Sequence, residues 1–203
     1  MYNRCLLLIN VLFISTMFLC CKKNSTPPDS TIPTTPIVFT TYSIKQGQYY
    51  ADGYDSSHFV RIITDDLKFV AKFDSSAIYS TFFATNQLDV NKLYGFSDNN
   101  TDHHQFSARV GWAWYYNALH LFGYTYNNGE RTIQQLGQYQ IGQNINCRIQ
   151  VDNGNKNYLF TINGKTTAMP RAATTAKGSG YRLYPYFGGD EPAPHPVKIQ
   201  ISE

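Results

Sequence analysis

From residue 40 onward, hydrophobic and polar positions alternate with a period of two. Phe106, Ala108, Val110, Trp112 and Trp114 interleave with Gln105, Ser107, Arg109, Gly111 and Ala113. His120, Phe122, Tyr124 and Tyr126 interleave with Leu119, Leu121, Gly123 and Thr125. Tyr158, Phe160 and Ile162, and then Val197, Ile199 and Ile201, repeat the pattern. Successive side chains of a strand point to opposite faces, so this alternation predicts strands with two unlike sides.

Turn chemistry separates the runs. Asn127-Asn128-Gly129, Asp152-Asn153-Gly154 and Asn163-Gly164 are hairpin sequences, because Asn and Gly accept the positive φ of tight turns. No segment carries an apolar stripe at helical spacing with caps. Ser75–Tyr79 and Leu88–Lys92 are the stretches able to hold a helical turn. Many short antiparallel strands imply a sandwich or a barrel.

The N-terminus follows a different rule. Arg4 precedes an apolar run, Leu6–Leu19, broken only by Asn10, Ser15 and Thr16. At 14 residues the run is shorter than the roughly 20 needed to span a bilayer as a helix. A charged start, an apolar run and a processing site make an export signal, here residues 1–20. Phe18-Leu19-Cys20-Cys21 resembles a lipobox, in which the cysteine that becomes the first mature residue carries lipid. The resemblance implies lipidation of Cys21, with Cys20 as the alternative. Lys22-Lys23 differs from the Asp that follows this cysteine in lipoproteins held at the inner membrane, which points to the outer membrane of the cell envelope. Residues 21–36 contain four prolines among Ser and Thr and form an extended tether. One domain then runs over residues 37–203, long enough for its own core.

Charge belongs mainly to the anchor. The chain has a net charge of +3, but setting Arg4, Lys22, Lys23 and Asp29 aside leaves 14 basic against 13 acidic residues in the domain. Nucleic acid is therefore not an expected partner. Cys147 is the sole domain cysteine, within the apolar alternation Ile145-x-Cys147-x-Ile149, so it reads as core and no disulfide framework exists.

The stretch Asn146–Lys165 is a strand, a polar turn, a strand and an Asn-Gly-Lys hairpin. It resembles the central hairpin of concanavalin A-like jelly rolls, including laminin-G-like domains. KLYGFSD, HHQFSARVGW and YPYFGGDEPAPH are similar to segments of small secreted jelly-roll proteins of Gram-negative bacteria. These resemblances imply an all-β, two-sheet antiparallel jelly-roll sandwich, a fold that commonly lays sugar chains along one sheet face. The chain has 16 Tyr, nearly all in the domain, and a tyrosine offers an apolar face to a pyranose together with a hydroxyl.

If Trp112 and Trp114 share the core face with Phe106 and Val110, the opposite face presents Gln105, Ser107, Arg109 and Tyr115. On the next strand, burying Leu119 and Leu121 leaves His120, Tyr124 and Tyr126 on the groove side. Two loops add polar groups, Ser97–His104 and Tyr184–His195, the latter supplying Asp190 and His195. They read as solvated turns or as a shared polar site. Expected ligand contacts are therefore Gln105, Arg109, His120, Tyr124, Tyr126, Asp190 and His195. The oxygens of Asp98, Asp102 and Asp190 suit a calcium ion, although no cofactor is required. His103, His104 and His195 with Asp190 lack the His-x-His or His-x-x-x-His spacing of a transition-metal site.

A non-catalytic carbohydrate-binding lipoprotein is the leading expectation, with a glycan as partner and the membrane touched only through the lipid. Retaining glycosidases on jelly rolls use Glu-x-Asp-x-x-Glu. The domain has only Glu130, Glu191 and Glu203, outside that pattern, and the adjacent Asp65-Asp66 and Asp190-Glu191 should point apart. A polysaccharide lyase acting on uronates is the alternative, with Arg109 neutralising the carboxylate and His120 or Tyr124 as base. Gln105, His104 and Tyr184 are further groups such a site could draw on. Tyr186-Phe187-x-Gly189 faintly resembles an alginate lyase signature, but the companion motifs of that family are absent. A structural or adhesion module is the third reading.

Overall fold

The computed structural model describes residues 36–203, so the signal segment, Cys20, Cys21 and the tether up to residue 35 lie outside the described residues. Ile37–Glu203 forms one compact unit. Its strands are β1 (Thr40–Ile44), β2 (Arg61–Thr64), β3 (Asp66–Phe73), β4 (Asn91–Ser97), β5 (Phe106–Tyr115) and β6 (Ala118–Asn127). They continue as β7 (Glu130–Tyr139), β8 (Ile145–Asp152), β9 (Asn157–Ile162), β10 (Lys165–Pro170), β11 (Gly178–Leu183) and β12 (Val197–Ser202). One six-stranded sheet has the order β1-β12-β3-β8-β9-β10 and the other β2-β11-β4-β5-β6-β7. Every pairing is antiparallel, and first strands pair with last ones, β1 with β12 and β2 with β11. The result is an open, two-sheet antiparallel jelly-roll sandwich.

The period-two pattern sorts residues onto faces as expected. Ala108, Val110 and Trp112 of β5, and Leu119 and Leu121 of β6, enter the core between the sheets. There Trp112 meets Phe73 of the opposite sheet with ring centroids 5.2 Å apart. Burying a Val or Leu side chain of this set contributes roughly 1.5–3 kcal/mol. Tyr158, Phe160, Ile162, Val197, Ile199 and Ile201 complete the same core. Cys147 is buried among them, and burial pushes its thiol far up, so it is unreactive packing.

Asn128-Gly129 and Asn163-Gly164 have positive φ and close two-residue hairpins, as their sequences predict. Tyr116-Asn117 makes a third such turn, between β5 and β6, that carries no glycine. In the Asp152 turn the positive φ falls on Lys156, while the Asp152 carboxylate accepts from the Asn155 amide at 3.1 Å. Helical turns are 3₁₀ and occur at Ser75–Ala77 and Ala84–Leu88. The first lies within the expected stretch. The second ends where Leu88–Lys92 begins, because Asn91 and Lys92 are taken into β4.

Candidate functional site

The outer face of the second sheet carries an open cleft of about 630 Å³. Alternation aims Arg109 out of β5 and Tyr124 and Tyr126 out of β6 into its floor. Arg109 stands directly across the strand pair from Tyr124, and Ser107 across from Tyr126. Lys92 joins them from β4. One wall is the loop after β4, contributing Asp102, His103 and His104. Another is the segment after β1, contributing Tyr50, Tyr54, His58 and Phe59. The third is Tyr181 of β11 with Tyr184, Tyr186 and Asp190 beyond it. The two polar loops of the sequence thus converge on one cavity.

Aromatic packing sets the walls. Tyr50 and Lys92 each bridge to Tyr186 through the backbone. Tyr49 stacks on Tyr186 at 5.6 Å, and Phe59 leans on Tyr181 at 5.0 Å. Tyr50 and Phe59 keep open faces toward solvent, where a sugar ring can stack.

The floor is cationic. Arg109 is 7% exposed, and burial pushes it down to about 10, which leaves it charged at neutral pH. Lys92 donates to the Gly188 carbonyl at 2.8 Å and lies 5.2 and 5.5 Å from the centroids of Tyr124 and Tyr186. Burial lowers Lys92 to about 8, with Arg109 and Arg131 adding repulsion. Burial likewise holds His103 down at about 4, helped by Arg109 and His104, so the ring is neutral at neutral pH. Its Nδ1 is 2.7 Å from the Tyr181 hydroxyl. Burial raises the Tyr124 hydroxyl, and the Arg131 guanidinium works against that.

Of the sequence-predicted contacts, Arg109, Tyr124, Tyr126 and Asp190 meet in the cleft. Gln105, His120 and His195 do not line it. Gln105 precedes β5 and packs beside the Gly129 turn. His120 shares the outer face but pairs with Ala113, four residues along β5 from Arg109. There it is buried against the Tyr115 ring at 3.7 Å, with Gln135 3.0 Å from its Nδ1, so it cannot act as base beside Arg109. The His195 ring turns to the Ser76 carbonyl at 2.9 Å. Lys92, Arg131, Tyr50 and Tyr181 also line it, and no motif in the sequence singles them out. The signal for Lys92 was hidden by a register shift between Lys92 and Tyr94 that breaks the alternation of β4.

The calcium reading fails at Asp98. This carboxylate is fully buried and takes Arg171 Nε at 2.8 Å and the Tyr158 hydroxyl at 2.7 Å on one oxygen. The other oxygen takes the Ser179 amide at 3.0 Å and the Asn99 amide at 2.6 Å. Burial works to raise its pKa, but these donors outweigh it and hold the carboxyl below the usual range. No lone pair is left for a cation. Metal-type ligand atoms do gather at Asp102, His103 and His104, within 4.8 Å of one another. There the His103 Nδ1 is engaged by Tyr181, and Arg109 and Lys92 repel added positive charge. The adjacent carboxylates diverge as expected. Asp190 faces the cleft, whereas Glu191 accepts the Phe82 and Phe83 amides at 2.7 and 2.8 Å. Asp66 grips Arg148 at 2.6 Å, and Asp65 meets Lys177 at 3.2 Å.

No protein-family model matches the chain, and no curated protein matches it. Among solved structures, the leech intramolecular trans-sialidase complexed with 2,7-anhydro-Neu5Ac is similar at 9% identity and a TM-score of 0.38, over 83% of this chain. The chain spans only 26% of that enzyme. The CBM40 module of the Ruminococcus gnavus IT-sialidase, bound to α2,3-sialyllactose, is similar at 9% identity and a TM-score of 0.36, over 80% of this chain and 90% of that one. Bound to α2,6-sialyllactose, the same module gives 10% identity and a TM-score of 0.30, over 80% and 91%.

Proposed function

We propose that the protein is an envelope lipoprotein, lipidated at Cys21, whose cleft binds a carbohydrate without transforming it. The observation that carries this reading is the cleft itself: an open cavity on a sheet face, walled by tyrosines and floored by hydrogen-bonding cations. Its volume lies within the range of small-ligand sites. Tyr50, Phe59, Tyr181 and Tyr186 offer ring faces to C–H surfaces, and their neighbours offer donors to hydroxyls. Of the acids lining the cleft among the described residues, Asp55 accepts the Ser57 amide at 2.9 Å and Asp102 the His104 amide at 2.8 Å, which leaves Asp190 without a second free carboxylate to flank a glycosidic bond. A glycan array probed with the full chain tests the reading. Selective binding that is lost in Tyr181→Ala and Tyr186→Ala supports it; an array with no signal above a denatured control overturns it.

One observation favours the lyase reading. His103, neutral and hydrogen-bonded to Tyr181, stands in the same cleft as Arg109. Such a pair could take the proton α to a uronate carboxylate while Arg109 steadies the charge, the glycosidic oxygen leaving from the neighbouring carbon. Ultraviolet absorbance from an unsaturated uronide would establish this reading over the first, and full recovery of intact bound glycan would exclude it.

A further inference from the structure

We infer that Arg109 and Lys92 form a subsite for the anionic group of the ligand, so that the glycan is an acidic one, bearing a carboxylate or a sulfate ester. The inference rests on the carbohydrate reading above and narrows it.

Arg109 is the anomaly that points there. Other arginines of the domain have partners. Arg148 holds Asp66, Arg171 holds Asp98, Arg182 meets Glu203, Arg61 reaches Asn100 at 3.5 Å, and Arg131, on the cleft's rim, hydrogen-bonds the Tyr124 hydroxyl. Among the described residues, Arg109 is more than nine-tenths buried yet makes no ion pair and no side-chain hydrogen bond. Nor does it stack: the guanidinium–ring contacts of these residues are Arg171 on Tyr158 and Arg182 on Tyr94. Leaving a buried charge without a counter-ion is costly, and folded chains normally supply the partner themselves. Arg109 pairs across the strands with Tyr124 and lines the same cavity as Tyr50, Tyr126 and Tyr181, so its guanidinium faces the cavity among uncharged hydroxyl-bearing rings.

The acids lining the cleft do not fill the role. Asp102 accepts the His104 amide at 2.8 Å and lies 3.4 Å from the His104 Nδ1. Asp55 accepts from its own Ser57 at 2.9 Å. Asp190 has no salt bridge to Arg109, Lys92 or Arg131 among the described residues. Lys92 uses one N–H on the Gly188 carbonyl, so two more can reach an anion. A guanidinium beside an ammonium, both partly stripped of water, is the arrangement that binds an oxyanion through charge-assisted hydrogen bonds. The planar fork takes two oxygens of the anion at once.

Isothermal titration of the full chain tests this with three ligands of one backbone: a uronate oligosaccharide, its carboxyl-reduced neutral counterpart, and a sulfated neutral oligosaccharide. Wild-type protein should bind an acidic form at least about 30-fold more tightly than the neutral one, the range for a buried charged hydrogen bond. Preference for the uronate or for the sulfated form identifies which oxyanion the site takes. Arg109→Gln should remove that preference, and Arg109→Lys should restore part of it. Without ligand, Arg109→Gln should raise the Tm, because it deletes an uncompensated buried charge; a purely structural arginine would lower it. Equal binding of neutral and acidic forms overturns the inference and leaves carbohydrate binding standing. Failure of all three to bind, together with a silent array, overturns both.

Discussion

Replacing Asp98 by alanine should cost the fold as much as truncating a fully buried core aromatic. The Asp98 and Arg171 side chains are 0% and 1% exposed, and the pair joins the loop after β4 to the segment after β10. The substitution strands the Arg171 guanidinium in the interior and removes acceptors from the Tyr158 hydroxyl, the Thr175 hydroxyl and the Ser179 amide. Arg171 keeps the Ala173 and Thr175 carbonyls, at 3.2 and 2.8 Å, which soften the loss without supplying a counter-charge. Breaking a buried pair by deleting one partner costs about 3–5 kcal/mol. For a domain of this size, each kcal/mol moves Tm by roughly 2–4 °C, so the expected fall is on the order of 6–20 °C. Urea unfolding followed by circular dichroism measures it, and an unchanged m-value would show that the loss lies in stability itself. The double variant Asp98→Leu/Arg171→Met should recover much of the loss, because it removes the charge as well as its partner. Calcium or chelator should leave the midpoint of wild-type protein where it is. A cost under about 1 kcal/mol for Asp98→Ala, or a calcium-dependent midpoint, would refute the assignment of Asp98 as an internal counter-ion.

Two further outcomes follow from local geometry. At Gly123 a Cβ would come within 2.4 Å of Met169 Sδ and 3.3 Å of the Phe160 ring, so Gly123→Ala should cost about 1–3 kcal/mol by overpacking, read as a lower urea midpoint. His103 titrates near 4 in the fold against 6.5 unfolded, so the unfolded chain takes up this proton first as pH falls. Its contribution is therefore fully present above pH 6.5 and is lost as pH falls toward 4. Imidazole NMR should show its ring neutral at pH 5.5, and His103→Gln should flatten that part of the stability profile. A His103 that titrates at 6.5 would show that this wall of the cleft is not desolvated.

The strand faces were legible because a sandwich obeys one local rule. Trp112 against Arg109, and Leu121 against Tyr124, follow from alternation alone, and both sort as expected. Alternation says which face a residue occupies but not where along it the cavity lies. His120 is on the correct face, yet its register with Ala113 carries it away from Arg109 and under Tyr115. Asp98 sits in an oxygen-rich loop that looks like a ligand set. Its partner Arg171 is 73 residues distant, and nothing local announces the pairing. Lys92 was concealed by the irregularity in β4, and Tyr50 and Tyr181 by the folding of distant segments against the sheet. His195 shares a loop with Asp190, but the chain turns it toward Ser76 instead.

A glycan held in the cleft over β4, β5 and β6 leaves a defined footprint on the protein. Chemical-shift mapping of the labelled protein, titrated with a glycan selected on the array, tests it most directly. Saturable shifts are expected at Lys92, Arg109, Tyr124, Tyr181 and Tyr186, with the outer face of the β1-β12-β3-β8-β9-β10 sheet silent. Shifts confined to that other sheet, or to the exposed Phe82-Phe83 loop, would contradict it.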